Sequence, residues 1–275
     1  MFDVKKILEE KNPVLAEKIP YLGYYALKRV VHEPLVRSFL EVHGNKNAND
    51  FTAAALSHLG IQVDVLGQEN LKKDNPSIIC ANHPCGGPEG LGLIHTIIEK
   101  LGTCRIPAND ILGRIKPLKP LLVPVDKKRP TKESLEYLQR VFAGAEPVLI
   151  FPAGVTARKK AGVLREFPWQ PSFVTHARRS NRTIVPVWVS GENSAHFYLI
   201  HRLRTLFGIS FNLEMALLAD ELLRRRNTPL VIQFLPPVSP VLPPSWKGSP
   251  KQWDTFLARN IQNKVEQFGW RYTHG

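Results

Sequence analysis

From about residue 61 onward the chain alternates between short apolar runs bounded by turn residues and stretches of helical periodicity, which leaves few folds open. The runs are 61–66 (IQVDVL), 77–81 (SIICA), 121–125 (LLVPV), 147–151 (PVLIF), 183–189 (TIVPVWV) and 229–235 (PLVIQFL). Runs this short, apolar at successive positions, predict strands buried on both faces. Helical patterns lie between and after them, at 88–101, 131–143, 170–180, 212–226 and 250–268. The last carries Trp253, Leu257, Ile261, Val265 and Phe268 at three- and four-residue spacing. The fold class expected is α/β: a largely parallel or mixed central sheet flanked by helices, formed by residues 61–275. The prolines sit mostly at strand edges and in loops, where a missing N–H costs little.

Residues 1–60 read as a separate helical segment. Leu27, Val31, Leu35 and Phe39 recur every four residues, with Tyr24 before them and Lys28, Arg29 and Arg37 among them. Pro34 is expected to kink or divide this helix. A basic amphipathic segment with Tyr21, Tyr24 and Tyr25 can lie in a lipid head-group layer. Its apolar stripe can equally pack on the main domain.

The net charge of +13 favours anionic partners: nucleic acid, anionic head groups or phosphorylated substrates. Nucleic acid is disfavoured, because the aromatics sit at core-like spacings rather than among Lys and Arg on a platform. The cysteines Cys80, Cys85 and Cys104 are odd in number and lack metal-ligand spacing, so neither a disulfide framework nor a zinc site is expected. The first residues do not read as a secretory signal. No run approaches the ~20 apolar residues that cross a bilayer, so action on lipid implies a peripheral position. The cysteine usage favours a reducing compartment, and the side expected is the cytoplasmic one.

The most informative stretch is 77–101, SIICANHPCGGPEGLGLIHTIIEKL. An apolar strand ends at Ala81, the loop Asn82-His83-Pro84-Cys85-Gly86-Gly87 follows, and Pro88 and Glu89 open a helix. Ligands of α/β sheets bind beyond the carboxyl ends of strands, where such loops enter helices. Gly86 and Gly87 allow the backbone close to a substrate. His83 and Glu89 form a chemical unit: one ring nitrogen takes a proton from an attacking hydroxyl while the carboxylate holds the other N–H and stabilises the imidazolium. The bland alternatives are a turn histidine satisfied by backbone and a first-turn acid complementing the helix dipole. Cys85 invites a Cys–His nucleophile, but an activated thioester needs no protein nucleophile.

Asn-His-Pro-X-Gly-Gly-X-Glu-Gly resembles the first motif of the lysophospholipid acyltransferase superfamily, closest to its hemolysin-like branch, which acylates ornithine- and glycine-type lipids. Three further segments match in order. Leu122-Val123-Pro124-Val125-Asp126-Lys127 is similar to the second motif, Ile150-Phe151-Pro152-Ala153-Gly154-Val155-Thr156-Ala157-Arg158 to the third, and Ile184-Val185-Pro186-Val187 to the fourth. The resemblance covers roughly residues 75–195. It implies an O-acyltransferase, without a bound metal or cofactor, that moves a fatty acyl group from acyl-CoA or acyl carrier protein to a lysolipid hydroxyl at an anionic membrane surface. It further implies His83 as base oriented by Glu89, with Gly86, Gly87, Lys127, Phe151, Pro152, Gly154, Arg158 and Pro186 lining the substrate site.

The departures are specific. Lys127 replaces the second motif's phosphate-binding arginine and loses bidentate recognition. Ala153 replaces the third motif's glutamate, and Val155 stands where the branch carries one instead, so a carboxylate expected to hold substrate or neighbouring backbone is missing. The alternative from a different class is a non-catalytic polyanion binder, for nucleic acid or anionic lipid.

Overall fold

Pro34 divides the N-terminal amphipathic stretch. In the computed structural model, which describes residues 3–11, 13–108, 110–125, 131–160, 162–208 and 217–274, helices α1 (Val4–Lys11), α2 (Pro13–Lys18) and α3 (Tyr21–Val30) lead into α4 (Glu33–His43). The break is at His32, left-handed with φ 51°, and Pro34 lies in the first turn of α4, where no backbone N–H is needed. Buried Glu33 accepts the N–H of Val4 at 3.0 Å, tying α1 to α4. Helix α5 (Ala48–His58) begins at Asn47, whose side chain accepts the N–H of Asp50 at 2.9 Å. Phe39 and Leu40 pack on the main core, and Phe51, Leu56 and Leu59 belong to it. Tyr24 is buried, while Tyr21 and Tyr25 are exposed.

Five strands form the central sheet: β1 (Val63–Leu66), β2 (Ser77–Ala81), β5 (Val148–Ile150), β8 (Thr183–Val189) and β9 (Leu230–Phe234), in the order β1-β9-β8-β2-β5. Strands β8, β2 and β5 are mutually parallel; β9 runs antiparallel to β8, with β1 parallel to β9. The sheet is therefore mixed. Beyond β5, a parallel bridge from Arg105 to Val148 adds a small parallel pair, β3 (Ile106–Ala108) and β4 (Leu122–Pro124).

Alternation along the strands splits the core between two faces. Ile79, Ala81, Leu149, Val185 and Val187 face α5 and α6 (Pro88–Leu101), meeting Leu93, Ile94 and Ile97. Ile78, Cys80, Val148 and Ile184 face α7 (Lys132–Ala143), α8 (Ser172–Arg179) and α11 (Pro250–His274), meeting Phe142, Phe173, Val174 and Ile261. Burying two sheet faces explains why these strands read as unbroken apolar runs.

Several elements carried no clear sequence signal. These are β3, the antiparallel hairpin β6 (Arg158–Lys160) and β7 (Val163–Arg165), and α9 (Ala195–Leu206). The helix expected over 212–226 is α10 (Leu218–Arg224), with 209–216 outside the described residues. Helix α11 runs six residues past the expected end at 268, to His274.

Candidate active site

Because β2, β5 and β8 are parallel neighbours, the loops that leave them, from 82, 151 and 190, emerge along one edge. Asn82 sets the exit from β2. Its carboxamide donates to Val189 O at 2.8 Å and accepts the N–H of Val189 at 2.6 Å, standing in for one more peptide of the β2–β8 ladder. The chain then turns away, and His83 is the first residue free of the sheet.

The backbone of His83 is fixed on both sides. Its carbonyl accepts the N–H of Ala157 at 2.9 Å, and its N–H donates to a carboxylate oxygen of Glu166. The imidazole stacks on Phe151 with ring centroids 4.3 Å apart. Its Nδ1 lies 2.9 Å from Oε1 of Glu89, an ion-pair separation, although the ring is not turned for a linear hydrogen bond. The His83 side chain is 21% exposed and that of Glu89 fully buried. No described residue bonds Nε2.

Glu89 also organises the loop. Oε1 accepts the N–H of Cys85 at 2.9 Å and of Gly86 at 2.5 Å, and Oε2 that of Gly87 at 3.1 Å. Burial works to raise its pKa. The histidine and the N–H groups outweigh burial and hold the carboxyl below its usual range. Glu89 is thus both the acid against Nδ1 and the anion around which the turn is wound. The turn needs glycine at 86, where φ is +89° and a Cβ would stand 2.7 Å from Cγ2 of Thr156 and 2.8 Å from a methyl of Leu218.

The remaining expected site residues divide by position. Gly86 and Gly87 spend their N–H groups on Glu89, and the positions where their Cβ atoms would stand face Thr156 and Leu218 at 86, and Leu222 at 87. Phe151, Pro152 and Gly154 form the loop beyond β5, with Phe151 under His83 and Pro152 buried. Arg158 is buried on β6; its Nη1 donates to Thr156 O at 2.7 Å, and its guanidinium lies 4.9 Å from the Phe197 ring centroid. Pro186 lies within the sheet, in register with Cys80, and is buried beneath the loops. Lys127 lies outside the described residues.

Cys85 is buried, and burial pushes its thiol well above the usual range, opposite to the activation a nucleophile requires. Among the described residues no group of three His, Cys, Asp or Glu side chains is placed to hold a metal ion.

Sequence reasoning missed Asn82 and Glu166. Asn82 stood inside the motif without a role. Glu166 lies beyond the β6–β7 hairpin at no recognisable spacing from His83, and only the hairpin's path brings it back. It is half-buried, and desolvation pushes its pKa up to about 7 despite the opposing N–H of His83 and indole of Trp169.

The family model described as acyltransferase (Acyltransf_2) matches residues 6–241 of the chain. Proteins named Lyso-glycine lipid O-acyltransferase are similar across nearly the whole length. That of Bacteroides thetaiotaomicron is 31% identical over 258 residues, 93% of this chain and 90% of the relative. That of Phocaeicola vulgatus is 30% identical over 270 residues, 98% of this chain and 92% of the relative. Among solved structures, the 1-acyl-sn-glycerophosphate acyltransferase PlsC of Thermotoga maritima aligns with a TM-score of 0.43 at 19% identity, covering 90% of this chain and 94% of that one.

Proposed function

Since the chain belongs to the Acyltransf_2 family of acyltransferases, we propose that it is an O-acyltransferase that moves a fatty acyl group from an acyl thioester to the hydroxyl of a lysolipid, with His83 as general base and Glu89 as its orienting acid. The observation that carries the reading is the 2.9 Å approach of His83 Nδ1 to a fully buried carboxylate at the loop edge of the sheet, with Nε2 bonded by none of the described residues.

Nε2 takes the proton of the acceptor hydroxyl as its oxygen attacks the thioester carbonyl. The tetrahedral intermediate collapses, the C–S bond breaks, and the proton passes from the imidazolium to the departing thiolate. Glu89 stabilises the imidazolium meanwhile and remains ionised throughout. The N–H groups of His83, Cys85, Gly86 and Gly87 are committed to carboxylates. The developing oxyanion is therefore stabilised from elsewhere, and the neighbouring loop from 151 is the nearest source.

The acceptor is an amino-acid lipid with a free hydroxyl, on the strength of the two relatives' names; lysophosphatidic acid is the acceptor to compare with it. Its anionic group is met by Arg158, whose neighbour Thr156 lies against the catalytic loop, and by Lys127. The donor is acyl-CoA or acyl carrier protein.

The acceptor is reached at an anionic bilayer, on the cytoplasmic side. Tyr21 and Leu22 on α3 are 87% and 78% exposed, and Leu206 and Phe207 at the end of α9 are 76% and 72% exposed. Lys18, Lys28, Arg29, Arg202 and Arg204 lie among or beside them in the chain, and α3 and α9 border one groove through Arg29, Val30, His196 and Ile200. Apolar side chains set among cations suit a head-group layer. No described helix is long and apolar enough to cross a membrane.

The test is thiol release from an acyl thioester with and without lysolipid, for the wild type and His83→Ala, with both donors and both acceptors. Release that depends on lysolipid and disappears in the variant supports the reading. Full release by His83→Ala rejects it. Lipid profiles of cells with and without the protein identify the acceptor independently.

A further inference from the structure

The third motif lacks its carboxylate at Ala153 and at Val155, yet a half-buried carboxylate holds the backbone N–H of His83. It comes from Glu166, just past the β6–β7 hairpin. One oxygen accepts the His83 N–H; the other accepts the indole N–H of Trp169 at 2.6 Å. We propose that Glu166 is a positioning residue for the acyl transfer, holding the catalytic histidine by its own backbone. The proposal rests on the reading of His83 as general base.

Three features make this more than packing. First, the anchored group is the histidine's own N–H. With the carbonyl held by Ala157, the two peptide planes that flank the His83 Cα are each anchored, and the direction of Cα–Cβ with them. Ring and Nε2 move as those planes move. Second, Glu166 is itself held. Trp169 is 5% exposed, and its backbone N–H donates to Oε1 of Gln262 on α11 at 2.9 Å. Gln262 in turn donates to Phe167 O at 3.3 Å and to Glu266 at 3.0 Å. The histidine is thus referred to the long C-terminal helix, an element remote from it in sequence. Third, both oxygens of Glu166 meet N–H donors. A carboxylate satisfies two donors at once; a carboxamide must turn its own NH₂ toward one of them.

Glu166 touches no group that reacts, so its contribution lies in geometry. Misplacing a reacting group by about 1 Å costs on the order of 100-fold in rate. Because the base acts only in the transition state, the loss should fall on kcat and spare KM.

The test is Glu166→Gln and Glu166→Asp beside His83→Ala, in the full chain, with kcat, KM for donor and acceptor, and the thermal midpoint measured for each. For Glu166→Gln, kcat falls about 10- to 100-fold, KM for both substrates stays within about two-fold, and the loss exceeds any unfolded fraction. Glu166→Asp, which keeps two acceptor oxygens, recovers part of the loss even if the glutamine variant folds poorly. An unchanged kcat in Glu166→Gln, a rise in KM alone, activity lost only in proportion to unfolding, or an aspartate variant no better than the glutamine one overturns the proposal. His83→Ala separates the two readings: if it is inactive while Glu166→Gln behaves as wild type, only the positioning role is lost. If His83→Ala stays active, the general-base reading fails instead.

Discussion

A single oxygen of Glu89 lies 2.9 Å from Nδ1 of His83 and also accepts the backbone N–H groups of Cys85 and Gly86. The acid proposed to orient the base is the same anion that shapes the loop carrying it. Changes at the two residues should therefore look different in the laboratory.

Removing the imidazole should affect chemistry far more than stability. His83→Ala lowers kcat by at least about 100-fold, the ordinary scale of general base catalysis. Its thermal midpoint should fall only modestly: the stack on Phe151 and the approach to Glu89 are lost, but both backbone bonds of residue 83 remain. Steady-state kinetics with a melting curve on the same sample decides this.

Glu89→Gln should damage both. The carboxamide cannot accept from three backbone N–H groups and Nδ1 together, and each buried donor left unpaired costs about 1–3 kcal/mol. Turnover falls by roughly 10²- to 10⁴-fold, as for removal of the orienting acid of a triad, and the melting temperature falls with it. A glutamine variant with full activity would reduce Glu89 to a helix cap.

The pH dependence of stability should reveal Glu166. Its carboxyl is pushed from 4.5 up to about 7, so between those values the folded protein keeps a proton that the unfolded chain has released. Stability falls with rising pH where the unfolded state binds fewer protons. The Glu166 contribution is thus fully present below about 4.5 and lost as pH rises through about 7. Thermal midpoints of wild type and Glu166→Gln across pH 4 to 8 should converge or cross accordingly; parallel curves would remove the shift.

Two glycines of one loop and helix should respond in opposite directions. Gly86→Ala forces φ +89° on a residue with a Cβ and drives that atom against Thr156 and Leu218, at a cost of about 1–3 kcal/mol. Gly90→Ala, inside α6 with nothing within 4 Å of the new methyl, gains about 0.5–1 kcal/mol. Chemical denaturation of both variants measures the contrast.

Membrane contact is best tested by point changes. Phe39 and Leu40 pack on the core, so deleting the first forty residues would disturb the fold as well as the surface. Leu22→Ser and Leu206→Ser change exposed side chains only. Both should weaken partitioning onto anionic vesicles, the more so at high salt, without lowering the melting temperature. Undiminished partitioning in the double variant would place the contact elsewhere.

Much of the architecture was written in the local pattern. Strands buried on both faces must be apolar at consecutive positions, as in Ile78–Ala81, so their runs stood out without any knowledge of partners. The helix at 88–101 was bounded by its own Pro88 and Gly102. His83 and Glu89 were visible because the loop that carries them is short. By contrast, β6 and β7 are three-residue strands with no buried apolar run, β7 being exposed or half-buried and β6 carrying the buried Arg158. Helix α9 leaves Leu199, Leu203 and Leu206 exposed and buries Phe197 and Tyr198, which blurs any single apolar stripe.

What the residue order alone settled was whatever neighbours in the chain can settle: the buried strands and most helices, the glycine turn, and a histidine with a glutamate six positions away. Only the tertiary structure decided the direction of β9 and β1, the folding of the glycine amides inward onto Glu89, and the return of Glu166 to the peptide of His83 across 83 positions. Local conformation follows from the sterics and hydrogen bonding of a few adjacent residues. A contact between distant ones is fixed only when the burial of two sheet faces has chosen the path of the chain between them.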